Sequence, residues 1–222
     1  MNIIVHPLRV TQLWFINYCY VIIHPVLKTA LLIDPAWELE TIQNTLHMHQ
    51  AKLQGILLTH HHFDHINLAK TLAIQYQVPT FMSEAEINYY KFKCPNLNAI
   101  MTEDLFTVAN IEVKPIFTPG HTYGGTSYLI EDNLFCGDTL FIEGCGMCLD
   151  KGANPEILFN SLQKLKILPP RTLIYPGHSY GKLPGQSLKD VFKNNFYLHF
   201  NDPLEFVKYR MRKNQKNIFN FK

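Results

Sequence analysis

Residues 59–65 read Thr59-His60-His61-His62-Phe63-Asp64-His65, placing four histidines in six positions directly after the apolar run Gln54 to Leu58. An apolar run that ends in a polar cluster predicts a buried strand opening into a loop. Imidazoles at alternate positions, His60 and His62, point the same way from extended chain. Asp64 and His65 begin the next helix and face a neighbouring point. The expectation is two adjacent metal pockets, because zinc takes imidazole nitrogen and carboxylate oxygen and catalytic sites keep a position for water. Three further candidate ligands lie downstream, each beside glycine at the end of an apolar strand. They are His121 in Thr118-Pro119-Gly120-His121-Thr122, Asp138 in Cys136-Gly137-Asp138-Thr139 and His178 in Tyr175-Pro176-Gly177-His178-Ser179. His6, His24, His47, His49 and His199 have no such setting and are left out of the site.

Outward from this segment, Asn2 to Pro7, Leu13 to Ile23 and Thr29 to Asp34 are expected to form an antiparallel meander broken at His24-Pro25 and Asp34-Pro35. Helices are expected over Trp37 to Gln50 and Ile66 to Tyr76. Pro79 to Met82 reads as a strand, and Ser83 to Phe92 as a helix whose Ser83 and Glu86 form a capping box. Residues 105–142 form a second strand-rich block containing Ile111 to Thr118, Thr126 to Ile130 and Asn133 to Phe135. A helix from Pro155 to Leu165, with proline at its first position, leads to the strand Thr172 to Tyr175. Helices over Ser187 to Phe196 and Pro203 to Lys213 follow. Strand-rich and helix-rich blocks alternate twice, an order that two facing sheets with helices outside would satisfy.

The 222 residues are 47% hydrophobic and 17% charged, a globular composition that excludes disorder, collagen and coiled coil. A net charge of +2 is too mild for a nucleic-acid partner. The most apolar window, Leu13 to Ile23, is about half the ~20 residues of a membrane span and contains Asn17. No membrane association is expected. With no basic residue before Arg9 and no secretory signal, and with five cysteines in no framework spacing, a cytoplasmic location and reduced thiols are expected. Cys145 and Cys148 form a lone C-x-x-C, a weak indication of structural zinc. The whole chain, 1–222, is expected to be one domain with a short basic helical segment from about 187. The last 20 residues carry six basic residues against one acidic, a local +5.

The pattern H-x-H-x-D-H followed by a lone His, a lone Asp and a lone His resembles the metallo-β-lactamase-fold hydrolases, over about four-fifths of the chain. Leu31-Leu32-Ile33-Asp34-Pro35 resembles that family's early strand and turn. The resemblance implies an α+β, four-layer αββα sandwich with a two-metal site along one edge. His60, His62 and His121 would hold the first metal, and Asp64, His65 and His178 the second, with Asp138 bridging. Two Zn2+ are implied, with iron or manganese as substitutes, and a bridging hydroxide with Asp64 and Asp138 as catalytic carboxylates. His61 and Phe63 match variable positions.

Within the family, Gly137-Asp138-Thr139-Leu140-Phe141 with Gly144-Cys145-Gly146 resembles the glyoxalase II branch, which hydrolyses thioesters. Arg210-Met211-Arg212-Lys213 resembles its Arg-x-x-Lys grip on the thiol carrier, which marks Arg210 and Lys213 as substrate-binding candidates. Met147 and Leu149 depart from that branch's basic and aromatic contacts to glutathione. Gly144 to Leu149, Gly152-Ala153-Asn154-Pro155 and the C-terminal motifs look closest to the zinc-dependent hydrolases encoded with bacterial polyketide synthases. That resemblance implies an acyl thioester on the phosphopantetheine arm of an acyl carrier protein. The alternatives are glyoxalase II, acting on S-lactoylglutathione, and a mononuclear-iron persulfide dioxygenase using His60, His121 and Asp138.

Overall fold

The structure is a computed structural model that describes residues 3–215 and 219–222. Asn2, expected in the first strand, and Lys216, part of the basic tail, lie outside the described residues. β1 (Ile4–Gln12), β2 (Phe15–His24) and β3 (Thr29–Ile33) are antiparallel, as the meander predicts. β4 (Lys52–Leu57), β5 (Thr80–Ser83) and β6 (Leu97–Ile100) join them in parallel to complete a six-stranded sheet in sequence order. Parallel neighbours need crossovers. These pass through α1 (Leu39–Met48), through α2 (Phe63–Ile66) with α3 (Ala69–Tyr76), and through α4 (Glu84–Tyr90).

The second sheet also follows sequence order. β7 (Phe106–Val108), β8 (Ile111–Phe117), β9 (Thr126–Ile130) and β10 (Asn133–Gly137) run antiparallel. α5 (Pro155–Lys166) then carries the chain over to β11 (Leu173–Pro176), parallel to β10, and β12 (Gln186–Ser187) closes the edge. α6 (Leu188–Asn194), a 3₁₀ turn at Phe196–His199 and α7 (Pro203–Arg210) end the fold.

Alternation along the strands builds the layers. In β2, Tyr18, Tyr20 and Ile22 face the second sheet and pack with Tyr128, Ile130 and Phe135. Cys19, Val21 and Ile23 face the opposite way, onto Ile42 and Leu46 of α1 and Leu72 of α3. On the far side, Leu134 of β10 and Ile174 of β11 pack against Leu158 and Leu162 of α5, Val191 of α6 and Phe206 of α7. Three apolar seams between four layers make the αββα sandwich. Successive strand residues are buried on both faces, so the strands read as continuous apolar runs rather than alternating ones. Among the described residues, no helix is long and apolar enough to cross a membrane.

Several boundaries move for identifiable reasons. Pro7 does not end β1, because β1 is an edge strand where a missing N–H is tolerated. The helix expected over Ile66 to Tyr76 is interrupted. The Leu68 amide donates to the Pro35 carbonyl at 3.2 Å and the Asn67 side chain accepts from the Trp37 amide at 2.9 Å, which separates α2 from α3. α7 stops at Arg210 rather than Lys213. β6 and β12 are short edge strands without a sequence signal. Asn154 caps α5 by accepting from the amides of Glu156 and Ile157, with Pro155 at the first turn as expected.

Candidate metal centre

Five of the candidate ligands sit just beyond strand ends at one edge of the sandwich, and Asp64 and His65 lie in α2 beside them. His60 and His62 follow β4, His121 follows β8, Asp138 follows β10 and His178 follows β11. Cross-sheet hydrogen bonds fix these loops against each other. The Thr126 amide donates to the Thr59 carbonyl at 2.9 Å and the Tyr18 amide to the Gly177 carbonyl at 2.8 Å.

The ligand atoms of His60, His62 and His121 lie within 4.8 Å of one another, and so do those of Asp64, His65 and His178. These are the two triads expected from the sequence. Their tautomers follow from their outer contacts. The His121 Nδ1–H donates to the Met147 carbonyl at 2.6 Å and the His178 Nδ1–H to the Ile16 carbonyl at 2.7 Å. The His60 Nδ1–H donates to the Thr59 hydroxyl at 2.9 Å, since that hydroxyl gives its own proton to Asp34 at 2.6 Å. Each of these rings therefore turns a bare Nε2 inward, the arrangement that partners of metal-binding histidines normally impose. His62 presents Nδ1 instead, 3.1 Å from Nε2 of His60 and 3.0 Å from Nε2 of His121. Three nitrogens facing one another at this range suit a shared cation.

Asp138 stands between the triads. Its Oδ1 lies 3.4 Å from His65 Nε2, and its Oδ2 lies 3.5 Å from the Nε2 atoms of both His121 and His178. Asp64 Oδ2 is 3.2 Å from His178 Nε2. The buried atoms His65 Nε2 and Asp138 Oδ1 have no hydrogen-bond partner, so the site has ligand atoms that the protein itself leaves unsatisfied. A β-carbon at Gly177 would collide with Asp138 Oδ1 and the His65 ring, and one at Gly146 with the Asp138 carbonyl and the His121 ring. Glycine at both positions keeps the space open. The donor set of imidazole and carboxylate fits zinc, and imidazole suits iron as well.

Electrostatics agree with this donor set. Burial, reinforced by neighbouring imidazoles, holds His60 well below the ordinary histidine range and His62 down at about 4, so both are neutral donors near pH 7. His121 is lowered too, chiefly by burial. His65 moves the other way. Burial disfavours its charge, but Asp64 and Asp138 outweigh that and raise it to about 10. Asp64 is also buried, yet the same His65 together with His178 holds its carboxyl below the usual range.

Three residues depart from their sequence-based reading or escape it. Asp34 reads as a turn residue, but its carboxylate accepts from the Thr59 amide at 2.8 Å and from His65 Nδ1 at 2.9 Å, orienting a ligand on each side. Glu86 reads as half of a capping box. Ser83 does accept from the Glu86 amide at 3.2 Å, but the Glu86 carboxylate reaches elsewhere. It is fully buried and accepts from His61 Nδ1 at 2.7 Å, the His61 amide at 2.9 Å and the Gly124 amide at 2.7 Å. His61, stacked on Tyr90 at 3.5 Å, thus faces away from the two triads. Arg210, expected to grip the substrate's thiol carrier, is 5% exposed. Its Nε–H donates to the Gly146 carbonyl at 2.8 Å and its Nη1 to Gln215 at 2.9 Å. The guanidinium is committed internally, behind the loop whose Met147 carbonyl holds His121. Lys213 is exposed. Cys145 and Cys148 are buried free thiols pushed up by burial, which leaves them poor thiolate ligands.

A cavity of about 540 Å³ opens over the centre. Its floor is His62, Asp64, His121, Asp138 and His178, and its walls include Trp14, Phe15, Phe63, Met147, Leu149 and Phe221. The Phe221 ring stacks on His178 at 3.9 Å.

A sandwich of two six-stranded sheets with a histidine and aspartate cluster at one edge defines a class of proteins. Residues 13–178 match the Metallo-beta-lactamase superfamily, and the chain belongs to it. A Bacillus velezensis protein named "Probable polyketide biosynthesis zinc-dependent hydrolase BaeB" is 44% identical over 219 residues, which are 98% of this chain and 97% of that one. A protein of Bartonella henselae named "Hydroxyacylglutathione hydrolase" is 39% identical over 148 residues, 65% of this chain and 56% of its own length. The crystal structure of ETHE1 from Myxococcus xanthus superposes with a TM-score of 0.84 at 27% identity, covering 96% of this chain and 92% of that one.

Proposed function

We propose that the chain is a zinc-dependent hydrolase of polyketide biosynthesis that cleaves an acyl thioester carried on a phosphopantetheine arm. Likeness to BaeB along nearly the full length of both chains supports the biosynthetic setting. The observation that carries the choice of thiol is the cavity wall. Among its described lining residues there is no lysine or arginine, while Asp64, Asp138 and Asp150 are carboxylates. Glutathione brings two carboxylates of its own and would meet no basic side chain among those described lining residues. A pantetheine arm is neutral along its length and carries its phosphate at the far end, outside the cavity, and exposed Lys213 is the candidate cation for it.

His60, His62 and His121 would hold one zinc and Asp64, His65 and His178 the other, with Asp138 shared. Bound zinc supplies a lowered water pKa and a polarised thioester carbonyl. The protein's residues do the rest. Nδ1 contacts to Met147, Ile16, Asp34 and Thr59 hold the rings in register, so little reorganisation is needed when charge develops. Asp64, its carboxyl held below the usual range, presents an ionised carboxylate to the site, with Oδ2 3.2 Å from His178 Nε2. The apolar walls exclude bulk water. One C–O bond forms and the C–S bond breaks, and the water's proton leaves with the thiol.

The test is a metal-quantified sample assayed with one acyl group on a carrier protein, on coenzyme A and on glutathione. Turnover on phosphopantetheine at least about tenfold above that on glutathione, roughly 1.4 kcal/mol, is expected. Equal or better turnover of S-lactoylglutathione returns the protein to glyoxalase II. One iron per chain with oxygen consumption makes it an oxidising relative.

A further inference from the structure

We infer, resting on the thioesterase reading above, that the substrate's acyl group is an uncharged apolar chain of several carbons, received by an aromatic ledge of Trp14, Phe15 and Phe63 at the mouth of the metal cavity. The ledge is conspicuous because nothing in the core requires it. Leu13, in the left-handed region at φ 56°, turns β1 back into β2 and leaves Trp14 75% exposed at the hairpin tip. Phe63, at the start of α2 beside Asp64, is 69% exposed. Ring contacts connect them through Phe15 and Trp37, at 6.2 Å from Trp14 to Phe15, 6.0 Å from Phe15 to Trp37 and 5.5 Å from Trp37 to Phe63. Asn17 ties the row to the site, since it accepts from the Trp37 indole and donates to the Asp64 carbonyl.

A contiguous exposed apolar surface marks a binding site more often than chance. Here it opens onto the candidate metal ligands, and Met147 and Leu149 form further apolar wall. Apart from the metal-facing atoms, the polar side-chain groups among the described lining residues are the Asp150 carboxylate, the His62 Nε2 that lies 3.4 Å from it, and the Trp14 indole N–H. Phe15, Phe63, Met147 and Leu149 offer no side-chain donor to a hydroxyl or carboxylate on the acyl chain. A hydrocarbon chain instead gains from each methylene it buries, up to about threefold to fourfold in binding.

Pantetheine thioesters from acetyl to octanoyl, all on the same thiol, provide the test. kcat/KM is expected to rise at least about 30-fold from acetyl to octanoyl, a little under twofold per carbon as suits an open mouth. Succinyl should be hydrolysed more slowly than the butyryl thioester. Trp14→Ala combined with Phe63→Ala, both at exposed positions, should reduce the octanoyl-to-acetyl ratio by at least about tenfold. S-alkyl pantetheine thioethers, which cannot be hydrolysed, measure the ledge independently. Calorimetry should show affinity rising from ethyl to octyl in the unmodified protein and staying flat in the double variant. A flat series in the unmodified protein, or a length preference that survives both substitutions, overturns the inference. Length-dependent thioether binding without hydrolysis of any thioester would instead refute the thioesterase reading while leaving the ledge in place.

Discussion

The Asp34 carboxylate lies 2.9 Å from Nδ1 of His65 and, at 2.8 and 2.6 Å, accepts from the amide and hydroxyl of Thr59, clamping both ends of the 59–65 segment. Asp34→Asn replaces one acceptor oxygen by an NH2 that cannot accept from His65 or Thr59. Zinc affinity and turnover should each fall by about 10–100-fold, as for other partners of metal-binding histidines. Competition against a chromophoric chelator measures this, and unchanged affinity would remove Asp34 from the account.

His61 and Glu86 make a contrasting pair. His61 faces Glu86 rather than the two triads, so His61→Ala should keep its full metal content and change turnover by less than tenfold, under about 1.4 kcal/mol. Glu86→Ala removes a buried carboxylate that accepts three hydrogen bonds, and should lower stability by about 3 kcal/mol. For a chain of this size that is a fall in Tm of about 6–12 °C, readable by calorimetry. A metal-depleted His61 variant would mean that the ligand register is shifted.

Arg210 and Lys213 should separate by substrate. Arg210 braces the loop that carries Met147, so Arg210→Ala should reduce kcat on every thioester by a similar factor and lower Tm. Lys213 is exposed, and Lys213→Ala should act only on carrier-bound substrates. Its effect should be about threefold at low ionic strength and fade by 0.5 M salt, since exposed charges are screened within about 10 Å already at 0.1 M. Steady-state kinetics with free pantetheine and carrier-bound thioesters would show whether the two effects divide this way.

Zinc loading should release a proton. With its pKa raised to about 10 by Asp64 and Asp138 against the cost of burial, His65 is protonated at pH 7.5 in the metal-free protein, whereas a zinc ligand must be neutral at the coordinating nitrogen. Because the proton is bound in the free state and lost in the loaded one, apparent affinity should increase with pH up to about 10. His60, His62 and His121 are held low and contribute no release there. Calorimetry in buffers of different ionisation enthalpy counts the protons, and a count of zero at pH 7.5 would contradict the assignment of His65.

The convergence of the seven candidate ligand positions is legible in the sequence because four share one hexapeptide and the other three lie in short motifs with glycine or proline. The sheets are legible wherever strands are long and apolar, as in β2 and β3. Residues that act through tertiary contact are not. Asp34 sits before proline and reads as a turn, Glu86 reads as a helix cap, and Arg210 reads as a grip on the substrate's thiol carrier, whereas in the fold its Nε–H donates to the Gly146 carbonyl. Trp14 and Phe63 read as ordinary apolar residues, since only the closed sandwich places a hairpin tip beside a helix start.

The most direct measurement is metal content and turnover of Asp138→Ala beside the unmodified protein, both loaded with zinc and freed of excess by gel filtration. Asp138 reaches His65 with one oxygen and His121 and His178 with the other, so it serves both triads from between them. The account predicts two zinc ions per chain in the unmodified protein, and in the variant a loss at both sites with more than about a hundredfold loss of turnover. A variant that keeps two zinc ions and near-normal turnover would contradict it.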